Sequence, residues 1–329
     1  MAEYKCKMCG GTLRIEENQE VGVCEYCGTK QTLPLLNDEK RENLYNAASE
    51  LRRNNEYDRA LKVYESILED DSTDAEAYWC LVLCKYGIEY VEDPITQKIV
   101  PTINRTHYTS VFADGDYKLA IKYASEEQKR IYEEQAREID EIQKGILEIS
   151  KKEEPFDVFI CYKETDKNGR RTRDSVLATE LYHELTEEGF KVFFSRITLE
   201  DKLGSEYEPY IFAALNSAKI MVVLGTSEEN FKSVWVRNEW SRYLSLIKNG
   251  EEKVLIPAYR DMDPYDLPEE FSNLQAQDMS KLGFMQDLIR GIDKILGQEE
   301  DITSQKIILN ENVSVDNLIK RIELFLEDK

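Results

Sequence analysis

Between residues 156 and 296, short and almost wholly apolar runs alternate with segments whose apolar positions recur at helical spacing. Strands are predicted at Phe156–Tyr162 (FDVFICY), Lys191–Ile197 (KVFFSRI), Ile220–Gly225 (IMVVLG) and 254–259. Helices are predicted between and after them at 174–188, 207–217, 234–247 and 284–296. The first carries Val176, Leu177, Leu181 and Leu185 on one face, and Gly189 stops it at the expected position. The second turns Ile211, Ala214 and Leu215 inward. Strands this apolar are covered on both faces, and crossover helices make them parallel, so the pattern predicts a doubly wound α/β sheet. Such sheets bind ligands outside the carboxyl ends of their strands. Tyr162 and Lys163 close the first strand there, and helix 234–247 sets Trp235 and Glu239 four residues apart on one face.

The pattern upstream is different. Asn43–Leu51, Tyr57–Leu68 and Asp74–Tyr86 read as an antiparallel helical series, followed by a polar stretch at 93–118 holding Pro94 and Pro101. A long helix near 126–151 repeats Ile139, Ile142, Ile146 and Ile149 as a seam suited to a partner helix. Cys80 and Cys84 share one face of an apolar helix and read as core. Beyond a polar linker, Leu318, Ile319, Ile322, Phe325 and Leu326 form the stripe of a last short helix.

Four of the seven cysteines are Cys6, Cys9, Cys24 and Cys27, as CKMC-x14-CEYC, each pair followed by a glycine. Two such pairs place four thiolates tetrahedrally around Zn²⁺. Paired disulfides are disfavoured in a reducing compartment, and redox dithiols need a thioredoxin-like context that the sequence lacks. A structural zinc ribbon over about 1–36 is the expectation.

Several segments resemble known families. FDVFICYK, GFKVFFSRITLE with the Gly204 loop behind it, AALNSAKIMVVLGT and WVRNEW, in that order, are similar to a Toll/interleukin-1 receptor (TIR) domain over about 155–297. NNEYDRALKVYESIL with DAEAYWCLVL resembles one tetratricopeptide unit, with Ala60 at the close-packing position and Tyr57, Tyr64, Ala77 and Trp79 as the larger contacts. One unit is fewer than a stable solenoid needs, so a spacer bundle and a peptide-binding module are equally compatible with it. The organisation expected is a small β zinc ribbon (1–36), an all-α middle (37–152), a flavodoxin-like TIR domain with a parallel sheet (153–297) and a C-terminal linker and helix (298–329).

The Trp-x-x-x-Glu spacing is that of TIR domains that cleave NAD⁺, and adaptor TIR domains commonly lack the glutamate. The chain departs from the pattern at Cys161, where a serine is common, at Glu164, and in the longer loop after the second strand. The resemblance implies nicotinamide release, with ADP-ribose or a cyclic ADP-ribose as the other product, in antiphage defence or signalling. Cleaving the nicotinamide–ribose bond needs no strong nucleophile, because the leaving group is already a cation; the demanding species is the oxocarbenium-like sugar, which a carboxylate stabilises. Glu239 is the catalytic candidate, Trp235 stacks on nicotinamide or closes the pocket, Tyr162 and Lys163 contact the adenine-side ribose and phosphates, and Glu200 holds a ribose hydroxyl. Cys161 reads as buried core, and neither His107 nor His183 reads as catalytic. TIR relatives complete the site by stacking, which assigns the loop Asp201–Tyr207, with its bend at Gly204, to self-association.

Composition narrows the partners. With 65 acidic against 43 basic residues and a net charge of −22 over 329 residues, the chain lacks the basic footprint of a nucleic-acid binder. No apolar run approaches the roughly 20 residues of a bilayer span, and the amino terminus shows no signal h-region. A cytoplasmic protein with no membrane partner is expected, with a protein or peptide trigger at the helical module. Two readings compete with the enzyme: a non-catalytic TIR scaffold, and a zinc-ribbon adaptor that carries the TIR domain as a passenger.

Overall fold

The computed structural model describes residues 2–16, 19–36, 38–92, 98–199 and 207–311, with side chains up to residue 297. Glu200, the loop through Gly204, Pro94 and the stripe from Leu318 to Leu326 lie outside the described residues.

The amino-terminal unit is two antiparallel hairpins, β1 (Ala2–Lys5) with β2 (Thr12–Ile15) and β3 (Val21–Val23) with β4 (Lys30–Thr32). It shares a hydrophobic core with the helices that follow, α1 (Glu39–Arg53), α2 (Tyr57–Asp70) and α3 (Ala75–Lys85): Tyr4, Leu13 and Ile15 pack with Tyr45, Tyr64 and Cys80. The join is also ionic. Lys7 Nζ meets Glu76 Oε1 of α3 with both side chains almost fully buried, and Tyr132 donates to the other oxygen of Glu76 at 2.8 Å. Ala60, Tyr57, Tyr64, Ala77 and Trp79 are all fully buried.

The stretch read as polar loop is largely structured. Strands β5 (Ile88–Glu92) and β6 (Ile99–Ile103) form an antiparallel ribbon, and a short 3-10 turn (Val111–Ala113) leads into α4 (Gly115–Tyr123). Pro101 sits inside β6, which a two-stranded ribbon tolerates because each strand has an open edge; the proline and the surrounding polar residues hid the strand from pattern reading. The long helix α5 (Glu126–Ser150) starts in a capping box between Ser125 and Gln128. Its seam is used within the chain: Ile139 and Ile146 are buried with Trp79 and Val82 of α3, whereas Ile149 is exposed.

The carboxyl-terminal unit contains β7 (Val158–Cys161), α6 (Arg173–Glu187), β8 (Val192–Phe193), α7 (Ser195–Thr198), α8 (Glu208–Ser217), β9 (Ile220–Gly225), α9 (Glu228–Phe231), α10 (Val234–Lys248), β10 (Val254–Tyr259), β11 (Gln277–Asp278) and α11 (Phe284–Glu311). The five strands form one parallel sheet in the order β11-β10-β9-β7-β8, with β7 between β8 and β9. That is the flavodoxin-like order, reversing direction at β7. α6 and α11 cover one face, packing on Val158, Ile160 and Val222. α8 and α10 cover the other, packing on Phe159, Cys161 and Val223.

Two local expectations change. The second strand stops at Phe193, because the Phe194 amide donates to Thr198 Oγ1 at 3.0 Å and its carbonyl accepts from Ile197 and Thr198, which turns the chain into α7. Val176 is 47% exposed and does not share the inward face of Leu177, Leu181 and Leu185. Among the described residues no helix is long and apolar enough to cross a membrane.

Candidate active site

Helix α10 organises the site because its three faces do different work. Val236, Trp240 and Tyr243 are buried against the sheet. Trp235, Glu239 and Arg242, one helical turn apart in succession, line a cleft of about 1290 Å³. Asn238 and Ser241 point to the helical module, where both meet the same Arg105 Nη2, at 3.1 and 3.0 Å.

Glu239 lies at the floor of the cleft. Cys161 is directly beneath it, because strand alternation turns Phe159 and Cys161 toward α10. The buried thiol is held far above its ordinary pKa, by desolvation first and then by the negative charge and hydrogen bond of Glu239, so it stays protonated; it also donates to the Val236 carbonyl at 3.5 Å. Burial pushes Glu239 up to about 7; the Cys161 hydrogen bond and the Arg242 charge oppose that rise, and the nearby Glu208 carboxylate adds to it. A carboxyl group with this value is ionised for about half of the population near neutral pH. Trp235, 54% exposed, forms the wall one turn away.

The charges around Glu239 are fixed by the helical module. Arg242 makes a two-pronged pair with Glu208 of α8, at 2.9 and 3.2 Å, and donates to the carbonyl of Asn104 at 3.1 Å. Glu208 also accepts the amide of Thr106 at 2.7 Å. Arg105 forks onto Asp58 of α2 at 2.8 and 2.9 Å, and Asn238 donates to the carbonyl of Asn55 at 3.0 Å. Bidentate guanidinium–carboxylate pairs are the stronger and more directional kind.

The other expected site residues are distributed unequally. Tyr162 is buried on the opposite face of β7, stacked on Phe194, and its hydroxyl reaches Glu164 at 2.5 Å and Ser195 at 3.4 Å, two residues that do line the cleft. Lys163 is 3.7 Å from the exposed Glu229 and is not part of the cleft lining. Glu200 lies outside the described residues. Arg196 and His183 line the cleft, as does the ribbon β5–β6 through Glu89, Val91 and Thr102. Helical periodicity placed His183 on a surface; only the packing of α6 beside α7 makes that surface a cleft wall.

A second constellation sits at the amino terminus. The sulfurs of Cys6, Cys9, Cys24 and Cys27 all lie within 4.8 Å of one another. Cys6–Cys27 and Cys9–Cys24 are 3.8 and 3.6 Å apart, far longer than a disulfide. A tetrahedron with metal–sulfur bonds of about 2.3 Å has an edge of about 3.8 Å, so the donor set fits a structural divalent ion. Gly10 and Gly28 both adopt left-handed backbone at φ +78° and +69°, the conformation that closes each turn behind its second thiolate.

Residues 158–296 match the family model described as "TIR domain". Those residues form a TIR domain. The chain also resembles the TIR domains in the structure of the activated Roq1 resistosome directly recognizing the pathogen effector XopQ, at 20% identity across 53% of this chain and 98% of that one, with a TM-score of 0.27. A score that low leaves the assignment of the TIR domain to the family match and the strand order. No protein of curated function matches the chain.

Proposed function

We propose that the chain is an NAD⁺ glycohydrolase whose TIR domain breaks the nicotinamide–ribosyl bond at Glu239. The observation that carries this reading is the half-buried carboxyl of Glu239 at the floor of a large cleft, one helical turn from an exposed tryptophan. In this reading the ionised carboxylate stabilises the oxocarbenium-like ribose as the bond to the cationic ring lengthens, and Trp235 stacks on the departing nicotinamide. Partial desolvation strengthens that interaction, since charges shielded from bulk water interact more strongly than in it. Tyr162 supports the opposite rim through Glu164 and Ser195, Lys163 supplies charge to the phosphates on leaving Glu229, and Glu200 holds a ribose hydroxyl. Water or the adenine ring captures the sugar, giving ADP-ribose or its cyclic form, in antiphage defence or signalling within the cytoplasm. Zn²⁺ on Cys6, Cys9, Cys24 and Cys27 is the structural ion in this scheme. Self-association through the TIR domain, and a protein or peptide trigger on the helical module, complete it.

The deciding experiment incubates the purified chain with NAD⁺ and resolves products by mass spectrometry. Nicotinamide release that disappears in Glu239→Gln supports the enzyme. Intact NAD⁺ throughout makes a non-catalytic TIR scaffold the better description. Activity rising more steeply than protein concentration would support assembly.

A further inference from the structure

The cleft in front of Glu239 has two walls, and one of them does not belong to the TIR domain. α7, α8 and α10 form the first; the ribbon β5–β6 forms the second, with Ile142 of α5 behind it. A volume of about 1290 Å³ exceeds the roughly 300–1,000 Å³ of ordinary small-ligand pockets, so a substrate reaching Glu239 with one end has room to touch the ribbon with the other.

The ribbon offers that end a defined chemistry. In β5 the period of two sets Ile88 into the core and Glu89 and Val91 toward the cleft, and Glu89 is paired across the ribbon with Thr102. Glu89 is the one charged side chain among the described residues that the helical module contributes to the lining. Among the described residues it is braced and makes no ion pair: Asn104 Nδ2 donates to Glu89 Oε2 at 3.4 Å, and the Asn104 carbonyl accepts from Arg242 at 3.1 Å. A carboxylate accepts about four hydrogen bonds and donates none, so the remaining acceptor capacity suits a neutral group rich in hydroxyl donors. A vicinal diol is such a group; a phosphate is repelled at the same place.

We propose that Glu89 binds the hydroxyls of the ribose remote from the scissile bond, so that the helical module selects NAD⁺ against its 2′-phosphorylated form. Glu89 is thereby a substrate-contacting residue contributed in cis by a different module from the one that carries Glu239. The proposal rests on the reading of the cleft as an NAD⁺ site.

The test measures initial rates of the full chain and of Glu89→Gln and Glu89→Lys on three substrates: NAD⁺, NADP⁺ and nicotinamide mononucleotide, which lacks the remote ribose. Losing a charge-assisted hydrogen bond should raise KM for NAD⁺ about tenfold in Glu89→Gln, with kcat within about twofold. Both constants for the mononucleotide should stay unchanged. Glu89→Lys should shift preference toward NADP⁺ by at least about tenfold, a gain that a misfolded variant does not produce. If the parent cleaves NAD⁺ and neither substitution moves its KM, or if the mononucleotide suffers equally, the role of Glu89 is overturned and the enzyme reading stands. If the parent cleaves none of the three and calorimetry detects no NAD⁺ binding, the enzyme reading falls and takes this inference with it.

Discussion

Arg105 of the helical module donates to the side-chain oxygen of Asn238 at 3.1 Å, so the residue immediately before Glu239 is held from outside the TIR domain. The same guanidinium is forked onto Asp58 and is itself only 7% exposed. The helix bearing the proposed catalytic group therefore takes part of its register from a second module.

Arg105→Met should lower stability by roughly 2–3 kcal/mol, because it strands a partly buried carboxylate. Burial raises the pKa of Asp58, but its bonds to Arg105 and the neighbouring charges outweigh that and hold it below 3.8 in the fold. A depressed carboxyl stabilises the fold above its unfolded pKa, and the benefit is lost as pH falls through the folded value. The difference between parent and variant in thermal unfolding should accordingly be full near neutrality and shrink below about pH 4. A gap independent of pH would mean that the pair is not the source of the loss.

Glu239 has the opposite sign. Its folded pKa is raised from 4.5 to about 7, so its contribution to stability is complete below about 4.5 and fades as pH rises toward 7, by up to roughly 3 kcal/mol. Glu239→Gln should remove that decline while cutting turnover by about a hundred- to a thousandfold. In the parent, turnover should climb across the same interval as the carboxylate forms. A flat rate from about pH 5 to 8 would exclude this carboxyl as the ionisation that controls catalysis.

The four-cysteine cluster should hold one equivalent of zinc per chain, read by elemental analysis of the full protein. Cys24→Ser should lose the metal, since a missing thiolate opens the tetrahedron. Because the ribbon shares its core with α1–α3, chelation should lower the unfolding temperature of the helical module as well as unfold the hairpins. A metal-free protein with an unchanged melting curve would refute the structural role.

Glu76→Gln should be among the most destabilising single changes in the amino-terminal half, by about 3–5 kcal/mol. It leaves Lys7 charged and buried, and weakens the acceptor that also receives Tyr132. Replacing both partners, as Lys7→Met with Glu76→Leu, should recover much of the loss, because the pair also carries a large desolvation cost. Denaturant unfolding of the two singles and the double measures it; additive losses would show the two groups to be uncoupled.

Much was legible in the sequence because it depends on local periodicity. Apolar runs located four of the five parallel strands, a four-residue step put Trp235 and Glu239 on one helical face, and the spacing of Cys6, Cys9, Cys24 and Cys27 located the metal-competent cluster. Periodicity also determines that neighbours on a strand face apart, yet not which face meets which helix. Only the packed sheet put Cys161 beneath Glu239 and Tyr162 behind it. The grip of Arg105 and the clamp of Glu208 on Arg242 join residues from 34 to 136 positions apart, and the ribbon brings Glu89 to a cleft whose other wall is built by the TIR domain. No local pattern encodes such contacts, because they exist only once separate elements, each stable for its own reasons, are pressed together around one cleft.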